Sequence, residues 1–401
     1  MIKNRDIVVF GIQAWDIEIG SNCKNIALEF AKNNRVLYVN PPLDRATLKR
    51  DADKEKVQKR IAIKNGEQDA LEEIDTDFWN LYPKSLTESI NWIPSHTLFK
   101  LLNKRNSVKF TKDIQEAIDK LGFKDIILFN DSSMFLGLHI KSLLKPAQYV
   151  YYMRDYLVKV PYWAKHGERI EPQTIKEADI VVNNSTLYEE YGKKYNPNSF
   201  MIGQGCDVSL FNDADDTIAI PSEFEGIKKP IIGYVGYLTS MRLDIELLEY
   251  IGKYHNEWSI VLVGPEDKDF KNSELHQMEN VHFFGSKDES DLPAYVKGFD
   301  VAMNPQIVND WTIGNYPRKI DEYLAMGKPT IATATKAMEM FSDHVYLGST
   351  KDEYVQLIKK SLEENSEELE QQRIAFANSH TWENNVIAIA NALKEINEIQ
   401  S

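Results

Sequence analysis

A chain of 401 residues with 43% hydrophobic and 27% charged side chains has globular rather than disordered composition and room for two ordinary domains. Its formal net charge of −14 sets a repulsive mean field against nucleic-acid phosphates, so no nucleic-acid partner is expected. The two cysteines, Cys23 and Cys206, exclude a disulfide framework and cannot supply a four-ligand zinc site alone; they read as packed thiols of a reducing compartment, and no metal site or cofactor is expected.

The chain begins with Met-Ile-Lys-Asn-Arg-Asp and passes directly into a strand-like run, without the apolar core of a signal peptide. No apolar stretch approaches the roughly 20 residues that span a bilayer. The expected location is the cytoplasm.

Short Val/Ile/Leu-rich runs at 7–12, 36–39, 126–129, 149–153 and 180–182 alternate with helical segments, the pattern of parallel strands covered on both faces. Residues 15–24 join the first strand to its helix at a strand carboxyl end, where Gly20 and Ser21 can close on a ligand and Lys24 faces it. Residues 41–73 are highly charged and mostly unpatterned, an excursion from the first sheet. Between 96 and 112, Lys100, Lys104, Arg105, Lys109 and Lys112 occur with no acidic residue, interleaved with Leu98, Phe99, Leu101, Leu102, Val108 and Phe110. This segment reads either as a contact for anionic lipid headgroups, peripheral at the inner face of the cell membrane, or as a surface helix whose apolar side enters the core. Asp131 and Asp155 follow strands and suit binding of sugar hydroxyls or a base, though Asp131 also suits a helix cap. His166 stands alone and reads as structural.

A first domain is expected over 1–211, with residues 381–401 returning to it, a linker over 212–228, and a second domain over 229–380. The Asp213-x-Asp215 pair falls in the linker and reads as solvated. The second half repeats the strand pattern at 231–235, 260–263, 281–284, 301–303 and 330–333. Its strands end in glycine: Gly236, followed by Arg242 as a cation for a diphosphate, then Gly264, then Gly285. Each glycine reads equally as a turn or as one edge of a pocket. A long loop over 306–316, carrying Asn309, Asp310, Trp311 and Asn315, leads to Pro317-Arg318-Lys319-Ile320-Asp321-Glu322-Tyr323-Leu324-Ala325-Met326-Gly327-Lys328-Pro329. Pro317 opens a short helix and Gly327 stops it, which alone describes many αβ units. Lys319, however, sits in the first turn, where the helix dipole disfavours a cation unless an anion compensates. Glu322 stands one turn in, placed for a vicinal diol, and phosphate beside diol describes a nucleoside diphosphate. The acidic stretch 363–370 reads as a solvated helix face, and 382–399 as a terminal amphipathic helix that needs a surface to cover.

Taken together, these motifs resemble the GT-B glycosyltransferases, specifically the retaining, family-4-like group that makes bacterial surface polysaccharides. The resemblance rests on Gln204-Gly205-Cys206-Asp207, on Asp300-Val301-Ala302-Met303-Asn304-Pro305, on the Pro317 to Pro329 element, and on His380-Thr381-Trp382-Glu383. It implies two doubly wound Rossmann-like domains facing a cleft, acceptor domain first and donor domain second. A metal-independent transfer is implied, from a UDP- or GDP-linked sugar to a glycan or polyprenyl-linked acceptor. On this reading Arg242, Lys319 and Asp155 serve catalysis; Glu322, Gly236, Tyr237, Gly264, Gly285, Asn315, Pro317 and Arg318 hold the donor; Gly20, Ser21, Lys24 and Asp131 line the acceptor side. Two departures accompany it. Gly314 stands where many members have a first Glu, and Tyr237 where an Arg is usual. They motivate two rivals, a nucleotide-sugar 2-epimerase and a catalytically degenerate sugar-nucleotide-binding partner.

Overall fold

The structure, a computed structural model, describes residues 1–401 apart from 18, 19, 214, 215, 311 and 401, and leaves aside the side chains of 397–400. Asp215 and Trp311 therefore lie outside the described residues. The chain divides into two compact units, one of residues Met1–Gly205 with Trp382–Ser401, the other of Cys206–Thr381.

The first unit is built on an eight-stranded sheet of β1 (Asp6–Gly11), β2 (Arg35–Val39), β3 (Leu71–Asp75), β4 (Phe78–Leu81), β5 (Ile127–Asp131), β6 (Gln148–Met153), β7 (Ile180–Asn183) and β8 (Ser199–Met201). The strand order is β3-β4-β2-β1-β5-β6-β7-β8, parallel except where β3 runs antiparallel to β4. Residues of one strand alternate between two cores: Val8 and Phe10 pack on one face, Ile7 and Val9 on the other, as a pleat of period two requires. The helix Trp382–Gln400 covers the second of these faces with Val386, Ile389, Leu393 and Ile396. Each such side chain contributes about 1.5–3 kcal/mol on burial. Gly205 admits this helix, because a β-carbon there would stand 2.3 Å from the Trp382 ring.

The second unit carries β9 (Ile231–Val235), β10 (Ser259–Val263), β11 (Val281–Gly285), β12 (Val301–Asn304), β13 (Thr330–Thr333) and β14 (Tyr346–Gly348). They pair in the order β11-β10-β9-β12-β13-β14, all parallel.

Four strands escape sequence reading. β3 is a charged edge strand, Leu-Glu-Glu-Ile-Asp, with its last three residues exposed; β4, β8 and β14 are too short to show a period. The stretch 41–73 is also better ordered than its composition suggests. It forms helices Arg45–Arg50, capped by Asp44, and Glu55–Asn65, closed by Gly66 in the left-handed region, but buries few apolar side chains to betray them. The acidic run 363–370 is broken at Asn365 between two helices rather than lying on one.

The described residues of 212–228, expected as a linker, pack instead on the second unit. Phe224 meets Phe284, Tyr295 and Phe299, Glu223 pairs with Lys287 at 2.7 Å and Asp213 with Lys297 at 2.6 Å. The polar composition that suggests a linker here supplies ion pairs. No helix among the described residues is long and apolar enough to cross a membrane.

Candidate functional site

In the second unit the strand order reverses between β9 and β12, the place where open αβ sheets offer a crevice at their carboxyl ends. The connections leaving those two strands are tied to each other: Asp244 N donates to Pro305 O at 2.9 Å and Ile307 N to Arg242 O at 2.8 Å. The long loop is likewise built around one buried side chain. Thr312 accepts from Asn309 N through its hydroxyl at 3.1 Å and donates its own N–H to the Asn309 side chain at 3.0 Å.

The three glycines form one continuous backbone edge. A β-carbon at Gly264 would lie 1.9 Å from Gly236 O, Gly236 N donates to Val263 O at 2.9 Å, and Gly264 N donates to Gly285 O at 2.8 Å. Gly236 has a φ of 141°, a conformation that side chains rarely adopt. Against it lies Lys319, whose Cε would be 3.2 Å from a β-carbon at 236, with its amine 5.2 Å from the centre of the Tyr234 ring. The helix Lys319–Ala325 reaches this position because the buried Tyr323 hydroxyl accepts from Val235 N at 2.9 Å, fastening the helix to the end of β9. Sequence reasoning passed over Tyr323, although it directly follows Glu322.

Adjacent positions on a helix differ by about 100°, so Asp321 and Glu322 face different surroundings. Asp321 is fully buried, with His380 Nδ1 at 2.7 Å and the Tyr316 hydroxyl donating at 2.8 Å. Glu322 keeps 19% of its side chain exposed, with Arg318 Nη2 at 3.9 Å. Burial pushes the Glu322 carboxyl above its ordinary range; Lys319 and Arg318 oppose this, while Asp321 and Glu289 add to it. A cation-rich neighbourhood thus holds a carboxylate in a poorly hydrated place, where hydrogen-bond donors gain strength. Burial likewise lifts the Cys206 thiol to about 12, so it is inert as a nucleophile, as a packed cysteine should be.

The remaining residues expected on the donor side are less concentrated. Tyr237, 56% exposed, and the exposed Arg242 lie on the connection after β9. Asn315 N donates to Thr312 O at 3.0 Å, and Pro317 O accepts from Ile320 N at 2.9 Å, so both shape the entry to the helix.

In the first unit the strand order reverses between β1 and β5. Asp131, at the end of β5, is fully buried and gripped by Arg154, with contacts of 2.8 Å and 3.3 Å. This corrects its expected role: sealed by the guanidinium, it orients Arg154 and has no face left for an acceptor, and it caps no helix. Arg154 also holds Asp155 at 2.6 Å, and that carboxylate is 42% exposed. Ser21 is buried and caps helix Asn22–Ala31, accepting from Lys24 N at 3.4 Å and donating to Gln13 Oε1 at 2.6 Å, which makes it a scaffold residue rather than a ligand contact. Lys24 stands 4.7 Å over the Trp15 ring, and Gly20 is exposed. His166 is structural as expected, stacked on Phe99 with centroids 3.9 Å apart.

Beside these residues lies a cavity of about 750 Å³ between the connections after β1 and β2, lined by Ile12, Gln13, Ile17, Pro41, Leu43 and Arg60 among others. Its far wall is the charged excursion, where Arg60 grips Asp16 with contacts of 2.9 Å and 3.0 Å. Among the described residues no group of three or more His, Cys, Asp or Glu could hold a metal ion.

Residues 229–364, within the second unit, match the family model described as glycosyl transferases group 1, and the two doubly wound sheets give the chain a GT-B fold. The Bacillus subtilis (strain 168) protein TuaH, named for glycosyl transfer in teichuronic acid biosynthesis, is 24% identical over 223 residues, covering 53% of this chain and 56% of its own. The match thus spans little more than half of that relative. Among solved structures, sucrose-phosphate synthase of Thermosynechococcus elongatus aligns over 99% of this chain and 100% of its own, with 15% identity and a TM-score of 0.63. Anabaena Alr3699/HepE in complex with UDP covers 98% and 100%, at 13% identity and 0.64. An Escherichia coli trehalose-6-phosphate protein bound with UDP-2-fluoro glucose covers 96% and 98%, at 10% and 0.66. At these identities the likeness to the structures is one of fold.

Proposed function

We propose that the protein is a glycosyltransferase moving a sugar from a nucleotide-sugar donor to a hydroxyl of a glycan or lipid-linked glycan, with retention of anomeric configuration and a place in surface-polysaccharide synthesis. The observation that carries this reading is the packing of Lys319 against Gly236, one helical turn from Glu322. A diphosphate lying on the glycine edge would meet the Lys319 amine, and a ribose diol would reach the Glu322 carboxylate.

The chemical difficulty in such a transfer is the negative charge that grows on the departing diphosphate. Lys319, Arg318 and Arg242 would stabilise it, preorganised cations being worth most where water is scarce. Asp155, held by Arg154 and partly exposed, is the residue of the first unit best suited to meet an acceptor hydroxyl. Because the Anabaena neighbour holds UDP and the Escherichia coli neighbour a UDP-linked sugar analogue, a UDP donor is favoured over a GDP donor. The name of the Bacillus relative supports the polysaccharide role.

Calorimetric titration with UDP- and GDP-sugars tests the donor site. One family should bind, and Lys319→Ala and Glu322→Ala should each weaken binding about tenfold or more while the protein stays folded. Unchanged affinity in both variants would refute the assignment. Incubation with the binding donor should yield a retained glycoside only when acceptor is supplied; a new sugar nucleotide formed without acceptor would identify an epimerase instead.

A further inference from the structure

The helix His96–Leu121 carries features of both readings of its basic segment. Its core face is made by Phe99, Phe110, Ile114 and Ile118, which are buried. Leu98, Leu101 and Val108 remain 46%, 66% and 45% exposed. Leu98, Leu101, Arg105, Val108 and Lys112 follow one another at intervals of three and four residues, which places them on a single stripe, and all five are exposed. A merely solvated face gains nothing from two leucines and a valine.

Two large exposed aromatic side chains accompany the helix. Trp92, 72% exposed, and Tyr162, 62% exposed, stand at its amino-terminal end. They are neighbours there: the Asn91 side chain donates to Tyr162 O, and Lys165 Nζ donates to Trp92 O. Lys165 and Arg169 on the adjoining helix Pro161–Glu177 are exposed as well. Burial lowers the His96 pKa, and Arg169 and Lys100 lower it further, as expected where positive potential accumulates.

We propose that this face docks the protein on an anionic lipid surface, with Leu98, Leu101, Val108 and Trp92 entering the headgroup boundary and Lys104, Arg105 and Lys112 meeting lipid phosphates. The combination is specific to that partner: aliphatic and indole side chains gain from the acyl boundary, tyrosine and tryptophan favour the interface, and the cations are attracted by the surface charge. Charge complementarity also orients the approach. With a net charge of −14 the chain as a whole is repelled by an anionic bilayer, whereas the seventeen residues 96–112 hold no carboxylate; Glu88 and Glu116 stand 3.9 Å from Lys109 and Lys112, and the remaining cations give the segment a net attraction. Helices in a parallel αβ layer run opposite to the strands, so the start of this helix lies at the carboxyl edge of the first unit's sheet. An acceptor carried on a lipid would therefore be met at the edge that holds Asp155. That last step rests on the glycosyltransferase reading; the docking itself does not.

Flotation of the intact protein with vesicles tests the proposal without any donor. The wild type should float with phosphatidylcholine vesicles containing phosphatidylglycerol and not with phosphatidylcholine alone. Leu101→Asp and the pair Lys104→Glu with Arg105→Glu should each reduce flotation about tenfold or more, with melting temperature and donor affinity unchanged because these side chains are exposed. The pair Lys359→Glu with Lys360→Glu, on the second unit, should float like the wild type. Absence of flotation, equal loss from the 359/360 pair, or flotation indifferent to Leu101→Asp would overturn the proposal. So would a dimer in sedimentation that Leu101→Asp dissolves, which would assign the face to a second copy of the chain.

Discussion

Lys319 occupies the space that a side chain at Gly236 would need, its Cε 3.2 Å from where that β-carbon would stand. The Tyr234 hydroxyl closes the same space at 3.0 Å, and the φ of 141° adds backbone strain to any substitution. Gly236→Ala should therefore cost about 1–3 kcal/mol of stability and push Lys319 off the glycine edge, weakening nucleotide-sugar binding about tenfold. Denaturant midpoints and donor titration check the two effects separately. A stable variant with undiminished affinity would show that the lysine has no part in the site.

Asp321 fastens the same helix from its buried side. Its carboxylate has His380 at 2.7 Å and accepts from Tyr316 at 2.8 Å, so Asp321→Ala removes the buried acceptor that both share and leaves them only their mutual contact of 3.2 Å among these three side chains. A loss of about 2–4 kcal/mol follows, with donor affinity falling in parallel as Lys319 loses its mounting. Asp321→Asn, which keeps an acceptor for Tyr316, should lose less. Equal losses for the two substitutions would mean that the hydrogen bonds contribute nothing.

Glu171 makes folding stability depend on pH. Buried on helix Pro161–Glu177 and accepting from the Tyr151 hydroxyl at 3.0 Å, its carboxyl is pushed by burial from 4.5 up to about 7. The folded value lies above the unfolded one, so the native state keeps a proton that the unfolded chain has released. Stability from this group is thus greatest below the unfolded value, declines as pH rises through the window between the two, and is flat above it. The full decline is about 3 kcal/mol. Glu171→Gln should abolish it, gaining on the wild type by that amount between pH 4 and pH 8, as urea unfolding at the two values would measure. Parallel pH profiles would contradict this.

The Arg154–Asp131 fork, with contacts of 2.8 Å and 3.3 Å, tests the reassignment of Asp131 from ligand contact to scaffold. Arg154→Met strands a buried carboxylate and should cost about 3–5 kcal/mol. Adding Asp131→Asn should restore much of that loss, because the charge left without a partner is gone. A double-mutant cycle with no coupling would return Asp131 to the list of candidate acceptor contacts.

Much of the fold is legible in the residues themselves. Runs such as Ile7-Val8-Val9-Phe10 and Ile260-Val261-Leu262-Val263 declare buried parallel strands, because continuous apolar side chains need cover on both faces. The helix carrying Lys319 and Glu322 is equally plain from its proline start and glycine stop. The helix Glu55–Asn65 is not, since Val57 and Ile63 alone among its residues are buried, too few to mark a period.

Local pattern, then, determined the long apolar strands and the helices with a clear period or clear caps, and it singled out Gly236, Lys319 and Glu322. It could not determine what each side chain meets. That Lys319 lies on Gly236, that Tyr323 ties the helix to β9, that Arg154 seals Asp131 and that Leu101 faces outward while Phe99 faces inward were decided by the tertiary structure. The reason is physical: periodicity is written along the chain, whereas contact and burial depend on strand order, which brings together residues more than eighty positions apart, as with Val235 and Tyr323.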